Sequence, residues 1–322
     1  MAACNSPRVK ALFPARLSSA LLPALLALAC SKERTAATTA VTSASVVAAP
    51  SLPTSGCGKP PGKAGERRLR VGERTGLMTI SLPRAYDPQR RYPLGFAFHG
   101  RNRDHVDCQR IDCAGVQSVM GERAVLVYLR SLREPDSSRE SGWEWPTERD
   151  DNTRFFEAAW AQVESELCID SQRVFLTGTS SGGAFANWLG CLHGEKLLAI
   201  APVSGGWPAP STCPGAPAAL VIHGIDDPHV PPERGSLARD SYRERSRCAA
   251  DMQPALDALH AKVRKARDAS PSVETVECVD YRGCAERSPL RWCEHSYGGY
   301  DGSTHGWPPV GGQLVWDFVS KL

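Results

Sequence analysis

The sequence predicts an α/β fold with a mostly parallel central sheet flanked by helices, and three observations lead there. Short continuous apolar runs, "LGFAFHG" (94–100), "AVLVYL" (124–129), "RVFLTG" (173–178), "LLAIAPVSG" (197–205) and "AALVIHG" (218–224), suit strands buried on both faces. Between them the apolar spacing changes to that of helices, and such alternation implies a sheet covered on both sides. A glycine-flanked pair of serines in "VFLTGTSSGGAFANWLG" (174–190) stands where one strand gives way to a helical pattern.

Taken in order, the chain begins with Arg8, Lys10 and Arg16 ahead of the apolar run "LSSALLPALLALAC". This is the layout of an export signal over residues 1–30, and the run is too short to cross a bilayer, which takes about 20 apolar residues. Cys30 closes the run as in a bacterial lipoprotein signal, although Ala27 stands where a bulky aliphatic residue is expected. A lipidated, membrane-anchored Cys30 and simple secretion therefore stand as alternatives. The expected location is extracellular, or a periplasmic or outer-surface lipoprotein. Residues 31–56, rich in Ala, Thr, Ser and Pro without apolar period, read as a flexible tether. Residues 57–322 are long enough for one α/β domain of about 250 residues.

Within that domain, "RRLRVG" (67–72) and "GLMTISLP" (76–83) alternate with period two and predict an antiparallel opening pair. "NTRFFEAAWAQVESEL" (152–167) places apolar residues on one helical face, with Asp150 or Asp151 available as cap. The pattern after the serines, at Ala184, Phe185, Trp188, Leu189 and Leu192, predicts a helix stopping near Gly194. "MQPALDALHAKVRKAR" (252–267) predicts another, with basic residues gathered toward its C-terminal end.

The net charge of +3 gives no argument for nucleic acid or an anionic surface, and nothing implies an obligate protein partner. Apart from Cys4 and Cys30, ten cysteines lie between Cys57 and Cys293, an even number that argues for disulfides in an exported chain. Cys168 with Cys191, Cys284 with Cys293 and Cys248 with Cys278 are candidate pairs that sequence alone does not decide. There is no CxxC and no HExxH, so no metal site is expected.

Gly178-Thr179-Ser180-Ser181-Gly182 fits G-x-S-x-G in a strand–turn–helix context. There the strained turn lifts a serine hydroxyl above the sheet, and the helix N-terminus favours a developing oxyanion. Ser180 is the candidate nucleophile and the Ser181 N–H one oxyanion donor. A second donor is expected after "FAFHG", near Gly100 or Arg101, with His99 shaping that loop. A serine hydroxyl needs a base. Asp226 and Asp227 both follow the strand "ALVIHG", and His305 lies in "YGGYDGSTHGWPPVGG" (297–312), giving the order Ser–Asp–His. His229 and His295 compete as base, but the one adjoins the acid and the other sits in a strand-like run, so structural roles are expected. Trp145 and Trp307 are candidate substrate-pocket residues, and Trp143 is expected to seal a loop. Arg101, Arg103 and Arg110 are read as a solvated charged face.

"FAFHG", "RVFLTGTSSGG", "AIAPVSGG", "VIHGIDDPHVP" and "RWCEHSYGGYDGSTHGWP" together resemble the α/β-hydrolase family that groups carbohydrate esterase family 1 feruloyl esterases with polyhydroxybutyrate depolymerases. The resemblance runs from about residue 57 to the C-terminus. It implies Asp227 as the acid, three residues after the glycine of "HG", and His305 as the base in His-x-Trp-Pro. Asp301 to Thr304 separate "YGGY" from His305, where relatives run Gly-Gly-His directly, so the loop shape is expected to differ. The resemblance implies a serine esterase without metal or organic cofactor. The short "GWPAPSTCPGAP" (206–217) leaves no room for a large lid, which favours a bulky or polymeric ester. A feruloylated plant cell-wall polysaccharide comes first, with polyhydroxybutyrate and acetylxylan as alternatives. A surface lipoprotein that kept the fold without catalysis is the alternative of a different class.

Overall fold

Ten strands form one sheet in the order β1-β2-β4-β3-β5-β6-β7-β12-β11-β8. The computed structural model describes residues 53–113, 115–132, 145, 151–207, 213–255, 263–264, 273–298 and 302–322, all within one compact unit, Ala49–Leu322. The segments expected as export signal (1–30) and, for the most part, tether (31–56), with Cys30, Trp143 and Asp150, lie outside the described residues.

β1 (Gly65–Val71) and β2 (Arg74–Ser81) are the antiparallel opening pair, and β2 joins β4 (Val125–Leu129) antiparallel. From β4 the ladder runs parallel through β3 (Tyr92–Phe98), β5 (Ile169–Thr179), β6 (Ala199–Val203), β7 (Ala218–Gly224) and β12 (Leu290–His295). β11 (Val276–Tyr281) and β8 (Met252–Pro254) complete the other side antiparallel. A separate ladder pairs β9 (Val263–Arg264) with β10 (Val273–Glu274).

The apolar runs became the inner strands because their residues face two cores. Leu94, Phe96, Phe98, Val125, Val127, Val174 and Leu176 face one. Ala97, Leu126, Tyr128 and Phe175 face the other, as a pleat of period two requires. The first core is covered by α3 (Asp151–Glu166) and α4 (Ser181–Leu192). The second is covered by α2 (Val116–Met120), which follows the single turn α1 (His105–Asp107), and by α6 (Gly311–Val319). Only residues 204–217 link β6 to β7, so no large lid intervenes.

One helical expectation is corrected, over the part of it that lies within the described residues. At the predicted helix over 252–267, Met252–Pro254 is edge strand β8, and Val263–Arg264 is β9. A proline cannot donate in a ladder, so Pro254 suits an edge rather than a helix interior. A helix that the sequence reading did not include, α5 (Pro232–Arg245), follows the acid loop, with Pro232 in its first turn.

All ten domain cysteines pair, but not as the candidate pairs: the bonds are Cys57–Cys168, Cys108–Cys113, Cys191–Cys213, Cys248–Cys284 and Cys278–Cys293. Cys278 and Cys293 face each other across the β11–β12 ladder, a register that sequence does not reveal.

Candidate active site

The strand order reverses direction around β3: the chain moves outward to β4, then returns to the opposite side as β5. Carboxyl ends of strands at such a switch point form the natural crevice of an open α/β sheet. Ser180 sits there, after β5 and before α4, with φ 54° and ψ −120°. For a non-glycine residue this is a strained conformation. Close packing on both sides enforces it. A Cβ on Gly178 would lie 2.7 Å from Gly182 C, and one on Gly182 would lie 2.3 Å from Phe98 O and 2.4 Å from His99 O. The glycines thus let the turn, the first turn of α4 and the end of β3 share one space.

That contact brings the loop after β3 beside the start of α4, whose first N–H groups have no intrahelical acceptor. His99 is fully buried, with its Nδ1–H donating to Gly100 O at 2.7 Å. Its Nε2 accepts from Ser131 N–H at 3.2 Å. Burial lowers its pKa to about 4, keeping the ring neutral in the tautomer these bonds require. In a planar trans peptide the C=O and N–H point oppositely. Fixing Gly100 O against the imidazole therefore turns the Arg101 N–H away from that ring.

Trp145 is 2% exposed, stacks on Phe185 and donates its indole N–H to His99 O at 3.0 Å. Trp307 is 8% exposed and packs against Gly311, where a Cβ would lie 2.4 Å from its ring. Of the two tryptophans expected at a substrate pocket, Trp145 supports the loop after β3 and Trp307 seats α6. Arg101 and Arg110 are exposed, and Arg103 is partly so.

On the neighbouring strand ends, Asp227 follows β7 and its side chain is fully buried. It accepts from the His229 and Val230 N–H groups, each at 2.9 Å. His305 Nδ1–H donates to both carboxylate oxygens at 2.9 and 2.8 Å. Burial works to raise the Asp227 pKa, but the His305 bond and the two amides outweigh it and hold the group below its usual range. With Nδ1 protonated, Nε2 is the imidazole atom that can take a proton. Asp226 is exposed, and its N–H donates to Thr304 Oγ1. Of the two acid candidates, Asp227 is the one paired with His305.

The serine and the imidazole loop are tied to consecutive residues of one strand end. Ser180 N–H donates to Val203 O at 3.0 Å, and Gly306 N–H donates to Ser204 Oγ at 3.1 Å. A Cβ on Gly306 would lie 4.0 Å from Thr179 Oγ1. His229 is exposed, and its ring meets that of His305 edge-on at 4.9 Å. His295 is buried at the end of β12 with its Nε2–H donating to Gly306 O at 3.1 Å. Sequence spacing carried no signal for Ser204 beyond its place after an apolar run.

A groove of about 650 Å³ lined by Glu157, Trp160, Glu164, His193 and Glu195 lies elsewhere. His193 ends α4 and Ser180 precedes it, so roughly 18 Å of helix separates the two. Among the described residues, no group of three or more His, Cys, Asp or Glu is placed to hold a metal.

No protein-family model matches the chain. "Probable feruloyl esterase C" of Aspergillus terreus is 28% identical over 296 residues, 88% of this chain and 96% of that one. "Feruloyl esterase C" of Emericella nidulans is 28% identical over 275 residues, 82% and 89% of the two chains. Among solved structures, acetyl xylan esterase from Aspergillus awamori superposes with a TM-score of 0.56 at 11% identity, covering 80% of this chain and all of that one. The chain has the α/β-hydrolase fold, and its sequence resembles the feruloyl esterases over most of its length.

Proposed function

We propose that this protein is a serine esterase acting on feruloyl-type esters of plant cell-wall polysaccharide. What supports the reading is the His305–Asp227 pair together with a left-handed Ser180, the two loops anchored on the consecutive residues Val203 and Ser204. In the proposed reaction Ser180 Oγ attacks the ester carbonyl while His305 Nε2 takes its proton. Asp227 holds the tautomer and stabilises the imidazolium. The oxyanion is met by the N–H groups of Ser181 and Arg101, the latter oriented by the Gly100 carbonyl; one such donor is typically worth about 2.7–4 kcal/mol. His305 returns the proton to the leaving alcohol, then activates water to release the acid and regenerate the serine. No cofactor enters these steps.

The feruloyl esterase names of the relatives and the short link over 204–217 support a bulky ester. Five disulfides among the described residues support export, since such bonds persist in oxidising compartments. Simple secretion and attachment through a lipid on Cys30 are alternatives within this proposal, and incorporation of labelled palmitate, lost in Cys30→Ala, distinguishes them.

A panel of feruloylated arabinoxylan oligosaccharides, hydroxybutyrate oligomers and acetylxylan tests the substrate. Ferulate release is expected to have the highest kcat/KM. Cleavage of hydroxybutyrate oligomers alone would overturn the feruloyl assignment.

A further inference from the structure

We infer that Ser204 and His295 are positioning residues that hold the backbone beside His305, an inference that rests on the esterase reading above. Three adjacent strand ends meet the His305 loop. β6 leads into Ser204, whose Oγ accepts from Gly306 N–H at 3.1 Å. β7 ends at Gly224, where a Cβ would lie 2.0 Å from Thr304 O, so the loop rests on bare backbone there. β12 ends at His295, whose Nε2–H donates to Gly306 O at 3.1 Å. In the sheet β7 lies between β6 and β12. The loop therefore crosses the end of β7 with one tether on each side.

The two tethers take successive peptide units. The Gly306 N–H belongs to the peptide plane attached directly to the His305 Cα, so fixing that N–H fixes the plane from which the side chain projects. Gly306 has φ 102°, a region that favours glycine, and this turns its N–H and C=O to different strands. Asp227 then sets the ring through Nδ1. Backbone and ring are held by different groups: Ser303 and the Asp226 N–H hold the residues before His305 and its own N–H, and the Gly306 peptide units fall to Ser204 and His295.

The residue types support this division. Ser204 is fully buried with φ 46°, and its own N–H donates to Ile222 O at 2.9 Å. Glycine would relieve that backbone and alanine would fit it equally well. Of these three, serine alone supplies the acceptor for Gly306. His295 is 1% exposed, and its donor to a carbonyl is the part that Gln can reproduce.

The test uses Ser204→Ala, His295→Ala and His295→Gln in the full chain. Loss of a single positioning hydrogen bond is expected to lower kcat about tenfold in the two alanine variants with KM within about twofold, and His295→Gln to recover most of it. Proton NMR of the His305 Nδ1–H gives a readout independent of turnover. Its exchange is expected to accelerate in both alanine variants and not in His295→Gln, with thermal unfolding confirming that each variant folds. Wild-type kcat and wild-type proton exchange in both alanine variants would overturn the inference, as would His295→Gln behaving like His295→Ala. A wild-type protein inactive on every ester would instead overturn the esterase reading, and the proton exchange would still decide whether the two side chains hold the imidazole.

Discussion

Ser180 occupies its left-handed turn because Gly178 and Gly182 admit the carbonyls of Phe98 and His99 within contact distance. Gly182→Ala is therefore expected to push the loop after β3 away from α4 and lower kcat by about 10²-fold or more through lost oxyanion geometry, with KM less affected. Steady-state kinetics on a soluble feruloyl ester checks this. Asp227→Asn would leave the shape but remove the anion that fixes the His305 tautomer, and kcat is expected to fall on the order of 10⁴-fold. His305 and Asp227 are joined at 2.8 Å although 78 residues apart. Nothing local encodes that meeting, and both were found because each follows a strand end in a recognisable motif. Trp145 carried no such motif: its indole N–H reaches His99 O and its ring enters the core, contacts that depend on the folded loop.

Strands buried on both faces were legible because their apolar runs are of strand length and most end at a glycine, too short for buried helices. Helix α5 was not: its buried residues, Gly235, Ala238 and Tyr242, keep helical spacing, but two are too small to register as an apolar stripe. Pairing of the cysteines was equally hidden, since it depends on which strands and loops become neighbours. Cys57–Cys168 spans 111 residues and ties the segment before β1 to the start of β5. Replacing both with serine is expected to cost about 2–5 kcal/mol, read as a lowered midpoint in urea unfolding under non-reducing conditions. Cys108–Cys113 closes a loop of sequence separation 5, and its removal is expected to cost less.

Across the molecule, buried ionisable groups make stability fall in acid. His99 has a pKa near 4 folded against 6.5 unfolded, and burial lowers that of His223 as well. Between those limits the unfolded chain binds more protons, so stability rises with pH. The His99 contribution is complete above 6.5, is lost as pH falls toward 4, and is on the order of 3 kcal/mol. Asp227, held below 3.8, adds a loss at still lower pH. Urea unfolding at pH 7 and pH 4.5 is expected to show this slope, and His99→Asn to flatten it. We propose that one serine hydroxyl is activated at the crevice between β3 and β5. Labelling with a fluorophosphonate probe, followed by mass-spectrometric mapping, tests it most directly. The expected result is one adduct, on Ser180, abolished in Ser180→Ala and strongly slowed in His305→Ala. An unlabelled wild type, or equal labelling of Ser180→Ala, would contradict it.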